Sequence, residues 1–161
     1  MALKIVNADL SHSRNIWDWR NDPISRSFSR KTNLVEWNDH DAWFRKSLKN
    51  KERFLYLGIN EEPPHEIPIG IIRFDLVDFV RKHYEVSINI APNARGKGLG
   101  HALLKSGTNK FLKDIDMRQC IRIYASVKLD NFASIRLFTS AGYFPCDSNG
   151  TDFGEYFINI S

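Results

Sequence analysis

The stretch Ile88–Gly107, INIAPNARGKGLGHALLKSG, decides the fold: it predicts the end of a strand, a glycine-rich turn and the start of a helix. Pro92 ends ladder pairing after the alternating residues, and Gly96, Gly98 and Gly100 follow among basic residues. The first amides of a helix have no partner within it and carry the positive end of the helix dipole. Because glycine has no side chain, an anionic group can approach these amides. The stretch therefore predicts a phosphate-binding turn, with a plain tight turn as the alternative.

The turn also differs from two common phosphate motifs. Arg95 and Lys97 add positive charge to it. The Walker pattern needs Lys and then Ser or Thr after the last glycine, whereas His101 and Ala102 follow Gly100 here. The dinucleotide fingerprint lies early in a parallel β-α-β unit, while this strand follows three others in the predicted order. The sequence thus favours a different kind of phosphate site.

Length and composition limit the number of domains and the kinds of partner that the chain can have. With 161 residues and 42% hydrophobic content, residues 1–161 are expected to form a single domain with its own core. The N-terminal sequence has no secretory pattern and no apolar run is long enough to span a bilayer, so we expect a cytoplasmic protein without a membrane partner. A net charge of +4 is too small and scattered to predict a nucleic-acid partner. Cys120 and Cys146 lack any metal-ligand spacing, so neither a metal nor a disulfide is expected.

Periodicity and turn residues predict alternating helices and strands along the chain. Strands are predicted at 3–8, 53–60, 67–77, 83–90, 120–127, 143–146 and 152–160, helices at 11–20, 35–50, 98–114 and 130–142, and a proline-interrupted, serine-rich loop at 21–34. A serine is expected to cap the first helix. This order predicts an α+β layered structure with helices on both faces of a mixed sheet.

Two segments resemble the GNAT acyltransferases. One is the glycine turn, where two residues separate Arg95 from Gly98 and one residue separates Gly98 from Gly100. This spacing resembles the family signature that binds the pyrophosphate of acetyl-CoA. The segment SVKLDNFASIRLFTSAGYF, Ser126–Phe144, is similar to the family's other cofactor segment, in which an asparagine opens a helix that ends in a glycine and an aromatic residue. The resemblance implies an acetyl-CoA-dependent N-acetyltransferase. It also implies the α+β GNAT fold, a mixed and mostly antiparallel central sheet of about seven strands with helices on both faces.

The resemblance further implies which residues meet acetyl-CoA. In the family, the strand before the glycine turn splays from the next strand, and pantetheine pairs with its backbone in the opening. A backbone amide of this strand then serves as the oxyanion donor. The cofactor-binding residues implied are Ser87, Ile88, Asn89, Ile90, Arg95, Gly96, Lys97, Gly98, Leu99, Gly100, Asn131, Ser134 and Phe138.

Acetyl transfer also needs a group that takes a proton from the amine, because an alkyl ammonium is mostly protonated near neutral pH. Alternation along HYEVSINI places Glu85, Ser87 and Asn89 on one side of the strand. Glu85 is therefore the predicted general base. The alternative is that Glu85 only pairs with Arg73 or another basic neighbour.

The sequence identifies the general acid less directly than the general base. Many members of the family use a tyrosine of the second segment to reprotonate the coenzyme thiolate, and Phe138 occupies the matching position here. Phe138 has no proton to give. Either Tyr143 or a water molecule supplies the proton, or the thiolate leaves unaided; Tyr143 is the residue predicted here.

The acceptor region is IWDWRNDPISRSFSRKTNLVEWNDHDAWF, Ile16–Phe44. It is similar to the branch that acetylates nucleotide-linked amino sugars in pseudaminic and legionaminic acid synthesis. The predicted substrate-binding residues are Arg20, Phe28, Arg30 and Trp37. The residue types agree with such an acceptor, because Arg20, Arg26, Arg30 and Lys31 can meet a second pyrophosphate and Phe28 or Trp37 can stack on a base or sugar. A solvated basic loop is the alternative.

Two other functions stay open at this point. The main alternative is the related branch that acetylates N-terminal residues of ribosomal proteins. The second alternative is a GNAT-fold module that binds CoA without catalysis. Sheet-edge dimers are common in proteins that resemble this one, which leaves a homodimer open.

Overall fold

Helices and strands alternate in the computed structural model, which describes residues 3–146 and 150–161. The strands are β1 Leu3–Asn7, β2 Arg53–Glu62, β3 His65–Asp78, β4 His83–Ile90, β5 Ile121–Lys128, β6 Phe144–Cys146 and β7 Phe153–Ile160. The helices are α1 Ser13–Asn21, α2 Pro23–Ser27, α3 Trp37–Lys49, α4 Leu99–Asp114 and α5 Phe132–Ser140, with short 3-10 turns at Leu10–His12 and Pro92–Ala94.

Within the described residues, seven strands form one sheet in the order β1-β2-β3-β4-β5-β7-β6. The β4–β5 pair is parallel and every other neighbouring pair is antiparallel. The predicted α+β class and the mixed, mostly antiparallel sheet are therefore confirmed.

Helices cover both faces of this sheet. Consecutive strand residues point to opposite faces, and Ile72 and Arg73 of β3 show which helix lies on each. A Cβ placed on Gly107 of α4 would lie 2.8 Å from Cγ2 of Ile72, so α4 packs closely on that face. The guanidinium of Arg73 lies 5.8 Å from the ring centre of Trp43 in α3, on the other face. The two layers of helices that the sequence predicts are thus present.

An aromatic group holds α4 on the sheet. Phe111 of α4 is fully buried and stacks on Phe74 of β3 with ring centres 4.2 Å apart. The ring of Tyr84 in β4 packs edge-on against Phe111, with ring centres 4.9 Å apart. Truncating a buried phenylalanine to alanine costs about 3–5 kcal/mol of stability, so this group anchors the C-terminal half of α4 on β3 and the start of β4.

The predicted serine cap of the first helix is wrong. Asp9 caps the 3-10 turn that precedes α1, and its carboxylate accepts a hydrogen bond from the backbone N–H of Ser11 at 2.9 Å. Ser11 contributes a donor rather than the capping oxygen, and α1 begins two residues later, at Ser13. Aspartate and serine are equally good caps, so composition alone did not distinguish them.

The predicted loop 21–34 contains a short helix, α2. Its first residue is Pro23, whose missing N–H costs nothing at this position. The Asp22 carboxylate caps it by accepting from the amides of Ile24 and Ser25, both at 3.1 Å. The Ser25 hydroxyl donates to Oδ1 of Asn89 at 2.9 Å, which places α2 on the Glu85 face of the sheet.

Candidate active site

Strands β4 and β5 part in the middle of the sheet. Their pairing ends where Glu85 meets Tyr124, although β4 continues to Ile90 and β5 to Lys128. On its other side β4 stays paired with β3 as far as Ile90. The backbone groups of residues 86–90 that face β5 therefore have no strand partner, and the opening can take an extended ligand that forms hydrogen bonds with them.

The glycine turn lies directly beyond this opening. Gly96 and Gly98 both have a φ of 73°, which favours glycine, and a Cβ on either would meet no atom within 4 Å. Gly98 precedes α4, and no side chain caps that helix. The first amides of α4 therefore face open space where an anion can bind. At Gly100 a Cβ would lie 3.7 Å from Leu137, an ordinary contact, so alanine fits there.

Arg95 ties the turn to α2. Its Nη2 lies 2.9 Å from Oδ2 of Asp22 and donates to Oγ of Ser25 at 2.8 Å. Because Ser25 also bonds Asn89, the end of β4, the turn and α2 share one polar network. Lys97 is exposed beside the open glycines, whereas the guanidinium of Arg95 is already engaged by Asp22 and Ser25.

Glu85 lies at the edge of the opening. Its side chain is 26% exposed, and its Oε1 accepts from Nη1 of Arg30 at 3.3 Å. On the same face, Nη2 of Arg73 reaches Oγ of Ser87 at 3.4 Å. Glu85 thus has both a position beside the opening and a cationic partner, which is Arg30.

The structure does not bring Tyr143 and Glu85 together. Tyr143 is 5% exposed, and its ring meets that of Phe138, 3% exposed, at 5.0 Å. It lies on the α4 side of the sheet, where it borders a pocket with Leu104. Its hydroxyl is buried without a hydrogen-bond partner among the described residues, and burial raises the pKa of Tyr143 well above its usual range. Glu85 points to the opposite face, because its neighbour Tyr84 packs on α4.

Asn131 and Ser134 begin α5. The side-chain oxygen of Asn131 accepts from the backbone N–H of Ser134 at 3.3 Å, and Asn131 is the cap of that helix. The asparagine of the second segment therefore has a structural task at the start of α5. Its part in cofactor binding stays a prediction.

The α2 helix and residues 28–35, called the cover from here on, lie over the Glu85 face. Nζ of Lys128 at the end of β5 donates to the backbone oxygen of Ser27 at 2.9 Å. The guanidinium of Arg30 lies 5.9 Å from the ring centre of Phe153 in β7. The cover thus contacts β5 and β7 on one side of the opening and, through Ser25 and Arg30, contacts β4 on the other, so it forms a wall of the space beside Glu85.

The predicted acceptor residues fall into two groups. Arg30 reaches Glu85, Phe28 ends α2 within the cover, and Nη2 of Arg20 donates to the backbone oxygen of Lys31 at 3.0 Å. Trp37 instead lies in an aromatic group between α1 and α3, with its ring centre 5.4 Å from that of Trp17. The structure thus brings three of the four to the cover and its surroundings.

Sequence reasoning missed Asp22 and Ser25 as parts of the site. The signal for Asp22 was present, since an aspartate followed by proline is a typical helix start. No sequence pattern pairs Asp22 with Arg95, because the ion pair depends on how the chain folds.

Two negative findings apply to residues 3–146 and 150–161. They contain no group of three or more His, Cys, Asp or Glu side chains arranged to hold a metal ion. None of their helices combines the length and the apolar character needed to cross a membrane.

Sequence comparison identifies a family and a relative. The sequence pattern of the Acetyltransferase (GNAT) family matches residues 14–143. Spermidine N(1)-acetyltransferase of Vibrio cholerae serotype O1 is 24% identical over 152 residues, which span 94% of this chain and 77% of that protein.

Solved structures share the fold over nearly the whole chain. A domain from Methanocaldococcus jannaschii aligns with a TM-score of 0.82 at 20% identity, covering 99% of both chains. The V. cholerae spermidine N-acetyltransferase in complex with CoA and spermine aligns at 0.80 with 16% identity, covering 98% of this chain and 94% of that one. The Campylobacter jejuni N-acetyltransferase PseH in complex with acetyl coenzyme A aligns at 0.71 with 18% identity, covering 99% and 100%.

Proposed function

The chain belongs to the GNAT family of acetyltransferases, and from this premise we propose that it moves an acetyl group from acetyl-CoA to the primary amine of a nucleotide-linked amino sugar. The observation that carries the proposal is the opening between β4 and β5, which has the unobstructed glycine turn at one end and Glu85 at the other. Residues 1–161 act as one acetyltransferase domain in this proposal.

The residues of the turn fit acetyl-CoA. The uncapped start of α4 offers its amides to the pyrophosphate, and Lys97 adds a positive charge. The unpaired backbone of Ser87–Ile90 offers hydrogen bonds to the pantetheine arm and an amide to the developing oxyanion. Acetyl-CoA supplies an activated thioester carbonyl when bound.

Glu85 accepts the proton of the acceptor amine, directly or through water. Its carboxylate is partly exposed at the edge of the opening, where it reaches a bound amine. Arg30 holds this carboxylate in place until the amine arrives.

In this proposal no side chain of the protein would act as an acid toward the coenzyme thiolate. Phe138 has no proton to donate, and the enclosed hydroxyl of Tyr143 lies on the other side of the sheet with a raised pKa. A thiolate has a modest pKa and is a stable leaving group near neutral pH. Replacing Tyr143 by phenylalanine should therefore leave the maximal rate within about threefold of wild type, while an acid role would cost a hundredfold or more.

The nucleotide-linked acceptor is supported by the cover. Arg30 and Arg20 give it positive charge, and Phe28 gives it an aromatic ring. PseH, whose fold this chain shares, is an N-acetyltransferase crystallised with acetyl coenzyme A. The N-terminus of a ribosomal protein remains the main alternative acceptor, and CoA binding without catalysis the second.

Two observations make a polyamine a further candidate. The V. cholerae relative is a spermidine acetyltransferase, and a pocket of about 490 Å³ beside α1 combines carboxylates with indole rings. Its acidic and aromatic members are Trp17, Asp18, Trp19, Asp22 and Glu36. Asp22 is already paired with Arg95, however, and the face around Glu85 is basic.

Mass spectrometry of acetyl transfer from acetyl-CoA tests the proposal. The panel contains nucleotide-linked amino sugars, N-terminal peptides of ribosomal proteins and spermidine. Acetylation of a nucleotide-linked sugar is expected. Acetylation of a peptide or of spermidine alone would mean that the proposed acceptor is wrong and that acetyl-CoA is still the donor. CoA binding without any product would favour the binding module.

A further inference from the structure

A second pocket lies between α4 and α5, on the face of the sheet opposite Glu85. Its volume is about 360 Å³, and residues of α4, the end of α5, Tyr143 and β7 line it. None of its described lining residues belongs to the glycine turn, 95–100, or to residues 86–90 of β4. This space, called the α4–α5 pocket from here on, is therefore distinct from the opening that takes acetyl-CoA in the proposed function.

Apolar side chains line much of the α4–α5 pocket. They are Leu104, Ala141, Ile158 and Ile160, together with Tyr143. Leu104 is buried, and the two isoleucines are half-buried. An apolar ligand body would cover the surface that the isoleucines leave exposed, and this burial favours binding.

Tyr143 gives the pocket an unused hydrogen-bond donor. The residue is 5% exposed, and its buried hydroxyl has no partner among the described residues. The two other hydroxyl groups that line the pocket are already used. That of Thr108 donates to the backbone oxygen of Leu104 at 2.6 Å. That of Ser140 donates to the backbone oxygen of Leu137 at 3.0 Å. A buried donor without a partner is costly, and an acceptor atom of a bound ligand removes that cost.

Three side chains with hydrogen-bond donors border the pocket on the exposed side of α4. They are His101, Lys105 and Asn109, which follow one another at intervals of four residues and so share one face of the helix. Lys105 carries a full positive charge and forms no ion pair with the described residues. No Asp or Glu is among the described lining residues, so the pocket favours a negatively charged ligand.

We propose that the α4–α5 pocket binds a small carboxylate with an apolar body, which accepts a hydrogen bond from the Tyr143 hydroxyl and pairs with Lys105. One lysine and one neutral hydroxyl match a single negative charge. A phosphate monoester would bring about two negative charges against the apolar side chains. Because the pocket lies on the face opposite Glu85, its ligand is neither the acceptor amine nor the acyl donor.

Titration of the CoA-saturated protein with phenylacetate, followed by NMR of the backbone amides, tests this site. CoA fills the opening between β4 and β5, so phenylacetate reports a different site. Saturable shifts are expected in residues 101–109 and 140–143. Tyr143→Phe should weaken binding by about tenfold or more, because a hydrogen bond to a charged group is lost. Lys105→Gln should weaken it by about threefold, because the lysine is exposed.

Two controls accompany these variants. Lys113→Gln removes the same charge from an exposed position on α4 that does not line the pocket, and it should bind phenylacetate like wild type. Phenylacetamide keeps the carbonyl acceptor but lacks the charge, so it should bind more weakly than phenylacetate by about threefold or more.

The ligand-free variant Tyr143→Phe gives a second readout. Removing a buried hydroxyl that has no partner should leave Tm at or above the wild-type value, whereas a clear drop in Tm would show that the hydroxyl is already bonded and would contradict the proposal. If this variant does not fold, Ala141→Leu replaces it, because the larger side chain fills the pocket and should abolish phenylacetate binding while CoA affinity is kept.

Three results would overturn the site. The first is wild type without saturable shifts, and the second is shifts that lie outside the pocket. The third is release of phenylacetate by CoA, which would assign the pocket to the cofactor. If wild type fails to bind CoA, the proposed function falls instead, and the same titration of the CoA-free protein still decides the α4–α5 pocket.

Discussion

At the scale of single residues, Glu85 has two competing roles that substitution separates. A general base contributes about 10²–10⁴-fold to the rate, so Glu85→Gln should lower kcat by about a hundredfold or more and leave CoA affinity unchanged. The measurement is steady-state kinetics over a range of pH, with CoA binding measured by calorimetry.

Arg30→Gln is the matched control for this change. It breaks the ion pair with Glu85 but leaves the carboxylate in place. A base role predicts that Arg30→Gln loses much less activity than Glu85→Gln. Equal losses in the two variants would mean that the ion pair, rather than proton transfer, is what Glu85 provides.

Gly98 offers a second test at this scale. Asparagine tolerates the positive φ of Gly98 better than other residues, yet its side chain would enter the open space in front of α4. Gly98→Asn should therefore weaken CoA binding by about tenfold or more while the protein stays folded. Gly100→Ala is the control, since its methyl group makes only ordinary contacts. Unchanged CoA affinity in Gly98→Asn would contradict a phosphate site at this turn.

At the scale of elements, the ion pair between Asp22 and Arg95 connects the cover to the glycine turn. Asp22→Asn keeps the cap of α2, because asparagine is an equally good cap, but removes the charge that Arg95 meets. Losing a charged hydrogen bond costs about 1.5–3 kcal/mol. Hydrogen exchange of the amides in residues 23–35 should accelerate by about tenfold or more. Unchanged exchange there would show that the pair does not hold the cover.

Elements also show what the sequence could predict. Alternation along β4 correctly placed Glu85 and Ser87 on one face, because side-chain direction in a strand depends on local geometry alone. The helix α2 was missed, since its serine-rich sequence is typical of loops and only Asp22 and Pro23 mark its start. The end of pairing between β4 and β5 is not visible in either strand, because it depends on segments far apart in the chain. The resemblance to known acetyltransferases supplied that expectation.

At the scale of the whole molecule, His40 links global stability to pH. It is buried, and its Nε2 lies 3.0 Å from both the hydroxyl and the backbone oxygen of Ser13, which joins α3 to α1. Burial lowers the pKa of His40, with the Ser13 carbonyl and Asp41 acting in the opposite direction. The native state thus favours neutral His40.

The sign of the pH effect follows from this shift. Stability from His40 is complete above its unfolded pKa of about 6.5 and is lost as pH falls from there toward the lower native pKa. The loss is at most about 1.4 kcal/mol per pH unit. Thermal unfolding at pH 7.5 and 5.5 should therefore show a smaller drop in Tm for His40→Gln than for wild type. Equal drops in Tm for the two proteins would show that His40 is not the source of the pH dependence.

In the proposed reaction the chain acetylates an amine carried on a nucleotide. The most direct test compares kcat/KM for a nucleotide-linked amino sugar with that for the same amino sugar without its nucleotide, at saturating acetyl-CoA. Removing the nucleotide should lower kcat/KM by about tenfold or more, because its pyrophosphate no longer meets Arg20 and Arg30. Equal values for the two sugars, or acetylation of spermidine in preference to both, would contradict the proposed reaction.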